Sequence, residues 1–198
     1  MRILAFGDTH GMTDLQHLFP LADAADLVLC AGDITWFSHG LQESLEALQN
    51  LSIRSGKKII LVHGNHECED MRKSLADDQH IQYLHVDHIE AGGVIIIGYG
   101  GGGFANHDHA FEKFMSDLQP RLAEKPQIWL LHGPPFDVGI DEIPGWGPTG
   151  CRSRRRMIEV FRPKLVVAGH IHQNHGMISG IGSTTIINPG PEGILIDL

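Results

Sequence analysis

Five short apolar segments of this chain each end in a polar cluster that contains or adjoins a glycine. The segments cover residues 3–6, 27–29, 59–62, 128–131 and 165–168. A continuous apolar run of this length is typical of a strand that is buried on both faces. The polar residues that follow the segments are Asp8 and His10, Asp33, Asn65 and His66, His132, and His170 and His172. Because open α/β sheets present their chemistry at the carboxyl ends of parallel strands, we expect these residues to lie together.

The spacing of apolar residues between the segments predicts helices over residues 12–19, 41–51, 69–76, 105–122 and 151–161. The first part of the chain therefore alternates strand and helix, which indicates a parallel sheet with right-handed crossovers. Residues 81–84 and 92–98 are predicted as strands of a further sheet. Residues 183–188 and 193–197 are predicted as a hairpin that turns at Asn188-Pro189-Gly190. No repeat or linker divides the chain, so we expect a single α/β domain over residues 1–198.

The formal net charge is −9, and the chain contains 14 histidines. An acidic chain argues against an extended nucleic-acid surface or an anionic membrane as the partner. It does not exclude a small anionic substrate, because a bound cation can reverse the local charge. Histidine is the commonest metal ligand and the usual acid or base near neutral pH, so its abundance favours a metal-dependent or acid–base activity.

The three cysteines, Cys30, Cys68 and Cys151, lack the spacing of a metal site. They fit free thiols in a reducing compartment. No segment approaches the roughly twenty apolar residues of a membrane span, and the first residues do not form a signal peptide. We therefore expect a cytoplasmic protein.

The eight polar residues at the strand ends have the stoichiometry of a site for two divalent ions. Carboxylate, imidazole and amide oxygen ligands suit Mn, Fe, Zn or Mg, and we expect Mn first. One carboxylate shared by two ions would hold them ~3.5–4 Å apart, an arrangement used for displacement at phosphorus. His66 directly follows Asn65, so its ring can lie beside the ions without binding them and protonate a departing alkoxide.

Several neighbouring residues leave two interpretations open. Glu67 either orients a ligand or the His66 ring, or is the acidic residue at the start of the next helix. The basic cluster Arg152, Arg154, Arg155 and Arg156 is expected to be a solvated helix face; the other interpretation places one arginine at the rim of the substrate pocket. Cys68 is expected to be a buried, inert thiol and His63 a core histidine. The glycine-rich loop 98–104 and residues 143–147 are expected to be pocket walls.

The blocks Asp8-x-His10, Gly32-Asp33, Gly64-Asn65-His66-Glu67, His132 and Gly169-His170-x-His172 resemble the five signature blocks of the calcineurin-like metallophosphoesterases. They occur in the family's order and span nearly the whole chain, and none of the family's positions is replaced. The resemblance implies a four-layer α/β/β/α sandwich of two mixed β-sheets flanked by helices. It implies that one ion is held by Asp8, His10, Asp33 and His172, and the other by Asp33, Asn65, His132 and His170, with Asp33 as the bridge. His66 would then be the acid or phosphate-stabilising residue.

A looser resemblance covers the last third of the chain. Gly147-Pro148-Thr149-Gly150-Cys151, Arg162-Pro163-Lys164 and Gly169-His170-Ile171-His172 are similar to a small phosphodiesterase-like branch that includes vertebrate brain metallophosphoesterase-domain proteins. Together the resemblances imply a phosphoesterase that cleaves a phosphodiester by attack of a metal-bridging hydroxide. The alternatives are a phosphomonoesterase, a non-catalytic scaffold of the same fold, and a nuclease, which the acidic charge disfavours. The expected partner is a small phosphoester, with a nucleotide as one candidate, and the oligomeric state is left open.

Overall fold

Two mixed β-sheets and one short ribbon organise the part of the chain that this computed structural model describes, residues 1–68, 70–122 and 125–198. The first sheet contains β1 (Arg2–Phe6), β2 (Leu27–Cys30), β3 (Ile59–Leu61), β4 (Ile81–Tyr83) and β13 (Ile194–Asp197). Its order is β13-β1-β2-β3-β4. Strands β1 to β4 are parallel, and β13 runs antiparallel to β1.

The second sheet contains β5 (Asp87–Ala91), β6 (Val94–Tyr99), β7 (Gln127–Leu131), β10 (Leu165–Val167), β11 (Met177–Ile181) and β12 (Thr184–Asn188). Its order is β11-β12-β10-β7-β6-β5, with a parallel centre and antiparallel edges. The ribbon pairs β8 (Glu142–Ile143) with β9 (Gly147–Pro148). The helices are α1 (Phe19–Ala24), α2 (Leu41–Ser55), α3 (Met71–Ser74), α4 (His109–Leu118) and α5 (Arg152–Phe161), with 3₁₀ turns at Gln16–Leu18, Gln119–Arg121 and His172–Asn174.

Alternation of side chains along the strands builds three apolar layers. In β1, Leu4 and Phe6 pack with residues of α1 and α2, whereas Ile3 and Ala5 face the second sheet. In β6, Ile96 faces the first sheet, and its neighbours pack against α4 and α5. The central strands of each sheet are therefore buried on both faces, which is why they read as continuous apolar runs. The expected α/β/β/α sandwich of two mixed sheets is confirmed.

The carboxyl-terminal pairing differs from the predicted hairpin. Strand β12 pairs with β10 and β11 in the second sheet, and β13 pairs with β1 in the first. The Asn188-Pro189-Gly190 segment therefore links the two sheets, and the Gly7 amide donates to the Gly190 carbonyl at 3.0 Å. The hairpin prediction is wrong because the apolar pattern of two successive strands does not indicate which other strands they pair with.

One other strand prediction is wrong, and two edge strands were not predicted. Strand β4 pairs in parallel with β3 and extends the first sheet, not the second. Strands β5 and β11 were not predicted, because both are edge strands with partly or fully exposed residues throughout. An edge strand does not need a continuous apolar run, so the pattern that reveals the central strands does not apply to it.

The helices also differ from their predicted bounds. Of residues 12–19, only Gln16–Leu18 form a 3₁₀ turn, and α1 follows from Phe19 with Pro20 in its first turn. Helix α2 extends to a left-handed cap at Gly56. Helix α4 begins late because the Asp108 side chain accepts from the Phe111 amide at 2.9 Å. The predicted first residue of the helix over 69–76, Glu69, lies outside the described residues. Among the residues that are described, no helix has both the length and the apolar character that crossing a membrane requires.

Candidate metal centre

The carboxyl ends of β1, β2, β3, β7 and β10 meet at one edge of the sandwich. The His170 amide donates to the Asp8 carboxylate at 3.0 Å. His132 Nδ1 lies 2.8 Å from the Ala31 carbonyl oxygen, and its Nε2 lies 3.3 Å from Asp33 Oδ2. These contacts join the two sheets, so residues that are far apart in sequence share one cluster.

Glycines at the strand ends permit this close approach. A Cβ atom on Gly64 would lie 2.5 Å from the Asp33 backbone nitrogen. A Cβ on Gly169 would lie 2.6 Å from Asp8 Oδ2. Real Cβ atoms do not approach other atoms so closely, so any side chain at either position would displace a carboxylate of the cluster.

Four of the strand-end residues hold a left-handed backbone although they are not glycine. The φ angles are 53° at Asp8, 44° at His10, 50° at Asp33 and 74° at His170. Each such residue costs on the order of 1–3 kcal/mol, and residues of this kind concentrate at functional sites. The His10 amide donates to the Asp33 carbonyl at 3.0 Å, and the Asp8 amide donates to the Gly32 carbonyl at 2.9 Å, which holds two of these turns in place.

The side chains form three overlapping groups whose candidate ligand atoms lie within 4.8 Å of one another. The groups are Asp8, His10 and His172; His10, Asp33 and His66; and Asp33, His132 and His170. The two Nε2 atoms of His10 and His172 are 2.8 Å apart. Asn65 joins the third group, because its Oδ1 lies 2.9 Å from His132 Nε2. All eight residues predicted from the strand ends are therefore brought together, and Asp33 belongs to two of the groups.

The imidazole orientations fit metal binding. His10 Nδ1 lies 3.1 Å from the Thr35 carbonyl oxygen, and His132 Nδ1 faces that of Ala31. A carbonyl can only accept, so Nδ1 carries the proton and leaves the Nε2 lone pair directed at the cluster. The buried Nε2 of His170 has no hydrogen-bond partner among the described residues. Orphaned buried nitrogens are rare, and a divalent ion is one ligand that would satisfy this atom.

The charge states of these side chains also fit metal binding. Burial would raise the pKa of Asp33, but the hydrogen bond and the charge of His132 hold it at about 2. Burial, followed by the charge of His132, lowers the pKa of His170 to about 4. Burial likewise lowers the pKa of His10 and that of His172. At neutral pH the carboxylate is therefore ionised and these rings are neutral, which is the state in which both can bind a cation.

His132 differs from these rings. Burial lowers its pKa, but the hydrogen bond to Asp33 and the charge of that carboxylate raise it by more. The ring therefore takes up a proton more readily than an ordinary histidine, and a cation that binds its Nε2 would release that proton.

The His66 ring has the opposite tautomer to that of His10. Its Nδ1 accepts from the Phe37 amide at 3.2 Å, so the neutral ring carries its proton on Nε2. That Nε2 lies 3.8 Å from Asp33 Oδ2, and the side chain is 10% exposed. His66 therefore offers the cluster an N–H group, whereas His10 offers a lone pair.

A comparison with known protein families identifies the family of this chain. The calcineurin-like phosphoesterase family model matches residues 1–174 of the chain. The chain belongs to the calcineurin-like phosphoesterase family. Membership implies hydrolase activity, and the Asp and His groups described above could hold the metal ions on which this family typically depends.

Relatives and solved structures agree with this assignment. The chain is 28% identical over 204 residues to the protein MJ1162 of Methanocaldococcus jannaschii, covering 94% of this chain and 89% of that protein. It is 27% identical over 208 residues to the UPF0046 protein K07C11.7 of Caenorhabditis elegans, covering 95% of this chain and 69% of that protein. The crystal structure of TT1561 of Thermus thermophilus superposes with a TM-score of 0.74 at 19% identity, covering 96% of this chain and 88% of that one. The phosphopantetheinyl hydrolase PptH of Mycobacterium tuberculosis superposes with a TM-score of 0.59 at 15% identity, covering 95% of this chain and 88% of that one. At these identities the two structures show the fold alone.

Glu67 braces the site of this phosphoesterase from behind. Its Oε2 accepts from the Asp33 and Gly64 amides, both at 2.9 Å. Its Oε1 accepts from the Thr35 amide at 2.9 Å and from the Thr35 hydroxyl at 2.7 Å. The buried carboxylate thus ties the turn after β2 to the turn after β3. This arrangement fits the first of the two interpretations, in which Glu67 orients a candidate ligand.

The sequence pattern missed two residues of the calcineurin-like site. His175 Nε2 lies 3.1 Å from Asp8 Oδ2, and this hydrogen bond helps to lower the pKa of Asp8 against the rise that burial causes. Its position three residues after His172, across a 3₁₀ turn, is the signal that could have revealed it. Trp36 stacks on His10 with ring centroids 4.0 Å apart. It lies in the turn after β2, but the strand-end pattern collects polar residues and so does not include a tryptophan.

The basic cluster of the phosphoesterase is not a uniform solvated face. The side chain of Arg154 is completely buried, donates to the Gly101 carbonyl at 3.3 Å and lies 3.7 Å from Asp108 Oδ2. The expectation of a solvated face is therefore wrong for Arg154, because one side of α5 packs beneath the glycine-rich loop. Cys68 is exposed, so the expectation of a buried thiol is also wrong. His63 is buried beside the Tyr83 hydroxyl at 2.7 Å, as a core histidine would be.

Proposed function

We propose that this chain is a binuclear-metal phosphoesterase that hydrolyses a small phosphodiester. Asp8, His10, Asp33 and His172 would hold one ion, and Asp33, Asn65, His132 and His170 would hold the other. The proposal is supported by the three overlapping groups, the orphaned Nε2 of His170 and the lone pairs directed at the cluster. When bound, two divalent ions supply Lewis acidity to the phosphoryl oxygens and lower the pKa of an attacking water.

The observation that carries the catalytic part is the tautomer of His66. Because Nδ1 accepts from the Phe37 amide, the proton is on Nε2, which faces the cluster. A ring in this state directs an N–H donor at the oxygen that leaves phosphorus, and a ring that has taken up a second proton would transfer the Nε2 proton to that oxygen and return to the neutral form. The Ser38 hydroxyl donates to the His66 carbonyl at 3.2 Å, so the turn that carries the ring is also held. We assign His66 as the general acid and not as a ligand.

A diester is preferred over a monoester for two reasons. The last third of the chain resembles a phosphodiesterase-like branch of the family. The mouth of the candidate site is also open, because Asn65 and His172 are exposed to solvent. An open mouth leaves room for a substituent on each side of the phosphorus. A phosphomonoesterase is the second candidate, and the same assay separates the two.

The test measures hydrolysis of bis-p-nitrophenyl phosphate and of p-nitrophenyl phosphate after chelation and reloading with Mn²⁺, Fe²⁺, Zn²⁺ or Mg²⁺. We expect activity only after reloading, highest with Mn²⁺, and a higher kcat/KM for the diester. Full activity in metal-free protein would refute the metal-dependent mechanism, and a higher kcat/KM for the monoester would select the second candidate.

Two substitutions test the assigned roles. His66→Ala should keep Mn²⁺ binding by calorimetry and lower kcat by about 10²–10⁴-fold, the usual loss of one general acid, for a diester that releases an alkoxide, since p-nitrophenolate departs without a proton. Asp33→Ala should lose both Mn²⁺ binding and turnover. The exposed His107 supplies the matched control, since His107→Ala should change neither. Loss of metal from His66→Ala would show that the roles are assigned wrongly.

A further inference from the structure

The side chain of Arg154 is completely buried and takes no part in the proposed chemistry. Its Nη2 donates to the Gly101 carbonyl at 3.3 Å and lies 3.7 Å from Asp108 Oδ2. Its Nε and Nη1 are also buried, and neither has a hydrogen-bond partner among the described residues. Most N–H groups of this guanidinium therefore lack an acceptor in that part of the chain.

A side chain in this state is expected to lower the stability of the fold. A separation of 3.3 Å is long for a hydrogen bond, and 3.7 Å exceeds the usual range. Burial lowers the pKa of Arg154, because the surroundings disfavour its charged form. Replacing such a buried charge by an apolar side chain of similar volume is often neutral or stabilising. The benefit of Arg154 is therefore expected in the candidate site, since residues that serve a site often lower the stability of the fold.

The Arg154 guanidinium fills the space between the glycine-rich loop and the turn after β7. A Cβ on Gly102 would overlap its Nη2, and a Cβ on Gly133 would overlap its Nη1. Only glycine fits at these two positions while the guanidinium stays in place. Gly133 directly follows His132, a candidate ligand. Arg154 therefore lies between the loop and one turn of the metal centre.

The glycine-rich loop also contacts the candidate metal centre. A Cβ on Gly103 would lie 3.8 Å from the Asn65 Cβ and 3.9 Å from His170 Cε1. The ring centroid of Phe104, the last residue of the loop, lies 4.5 Å from that of His170. Phe104 and Trp146 also line a cavity of about 340 Å³, so both loops that were expected to be pocket walls contribute to one. A movement of the glycine-rich loop would therefore remove packing from Asn65 and His170, two proposed ligands of the same ion.

The ligands of the other proposed ion are held by different segments. His10 Nδ1 lies 3.1 Å from the Thr35 carbonyl oxygen, in the turn after β2. His175 Nε2 lies 3.1 Å from Asp8 Oδ2, and His175 follows a 3₁₀ turn. These contacts do not involve the glycine-rich loop. A loss of Arg154 is therefore expected to affect one ion of the two.

We propose that Arg154 is a positioning residue that holds the glycine-rich loop against Asn65 and His170 and so supports the binding of their ion. This inference rests on the proposed binuclear function and assigns a residue that supports the same site without touching it. Arg154 acts through its hydrogen bond to the Gly101 carbonyl and through its volume between the loop and the turn after β7. Its burial costs stability, and its benefit is affinity for one metal ion.

The test counts the Mn²⁺ ions that each variant binds. Arg154→Met retains an unbranched side chain but removes the charge and every N–H group. In calorimetric titration we expect the wild type to bind two ions. Arg154→Met should bind one ion with unchanged affinity and the ion of Asn65 and His170 at least about tenfold more weakly, as when groups that orient metal ligands are lost. Electron paramagnetic resonance is a second readout, since the spectrum of a spin-coupled Mn²⁺ pair should give way to that of isolated ions.

Urea unfolding without metal separates positioning from a purely structural role. We expect the midpoint for Arg154→Met to equal or exceed that of the wild type, because the variant removes a buried charge. Asp108 is not left unpaired, since it still accepts from the Phe111 amide and the Tyr99 hydroxyl. Arg156→Met, which changes an exposed arginine of the same helix, is the matched control and should alter neither the midpoint nor ion binding.

A second variant makes the test independent of how well Arg154→Met folds. Arg154→Lys keeps a cation at this position, so it should bind the ion of Asn65 and His170 more weakly than the wild type but more tightly than Arg154→Met. Wild-type affinity for both ions in either folded variant would overturn the inference. An equal loss of both ions together with a lower urea midpoint would also overturn it, because that result indicates a structural role alone. A wild-type protein that binds fewer than two ions would refute the proposed binuclear function and, with it, this inference.

Discussion

Replacing Glu67 by glutamine tests how the site is held together. The carboxylate accepts four hydrogen bonds, from the Asp33 and Gly64 amides at Oε2 and from the Thr35 amide and hydroxyl at Oε1. Glutamine has nearly the same volume but only one acceptor oxygen, so its NH₂ group must face donors. It will direct the NH₂ group at Thr35, because the hydroxyl there can rotate to accept whereas the Asp33 and Gly64 amides cannot.

This orientation of the glutamine determines how much the free energy of unfolding falls. The Thr35 amide loses its charged acceptor and stays buried, and the bonds that remain lose the negative charge. Burial raises the pKa of the Glu67 carboxyl, and the hydrogen bonds from Gly64 and Thr35 oppose that rise. A hydrogen bond to a charged group contributes about 1.5–3 kcal/mol, so the total loss is roughly 2–4 kcal/mol. At about 2–4 °C per kcal/mol for a chain of this size, Tm should fall by about 5–15 °C.

The assay is urea unfolding of Glu67→Gln beside Glu192→Gln, in which an exposed glutamate loses its charge without losing a buried bond. Calorimetric titration with Mn²⁺ should also show weaker binding in Glu67→Gln, because the turn that carries Asp33 is no longer held. Equal free energies of unfolding in the two variants would refute the reasoning.

Three further substitutions probe close contacts and buried charge. Gly64→Ala places a Cβ 2.5 Å from the Asp33 nitrogen, so we expect Mn²⁺ affinity to fall by about tenfold or more, as when ligand-orienting groups are lost; calorimetry beside circular dichroism will separate this from unfolding, and unchanged affinity would contradict it. Gly133→Ala places a Cβ 3.2 Å from Cζ of the buried Arg154, and this overpacking should cost about 1–3 kcal/mol by urea unfolding; a cost of zero would show that the guanidinium is free to move. Burial lowers the pKa of His85 from 6.5 to about 4, so its neutral ring contributes stability that is complete above pH 6.5 and is lost as the pH falls towards 4. Between pH 7 and pH 5 the wild type should therefore lose about 2 kcal/mol more than His85→Gln in urea unfolding, and equal losses would exclude this origin.

Most of the candidate site was predictable because the strands that deliver it are central and parallel. Such strands are apolar on both faces, so residues 59–62 and 165–168 stand out, and the residues after them must lie at one edge. The eight strand-end residues meet as expected, although their roles as ligands and acid stay proposals. The metal identity and the preference for diesters also stay proposals, because ligand types alone do not distinguish similar divalent ions.

Residues that act through a contact between distant segments were not predictable. His175 reaches Asp8 across 167 positions of sequence, and its own neighbourhood has no strand pattern. Arg154 sits in a basic run that reads as exposed, yet its side chain packs beneath the glycine-rich loop. Local sequence indicates which face of a helix is polar, but it does not indicate which other segment covers that face.

By itself the sequence determined which strands are buried and which polar residues follow them, since both are local properties of chain order and apolar pattern. Only the tertiary structure decided where strands β12 and β13 pair, which places the last two strands in different sheets. It alone joined Phe104, Trp146 and Arg152 around one cavity beside His170. The physical reason is the same in both cases. Strand pairing and pocket formation depend on which surfaces are left open once every other segment has packed.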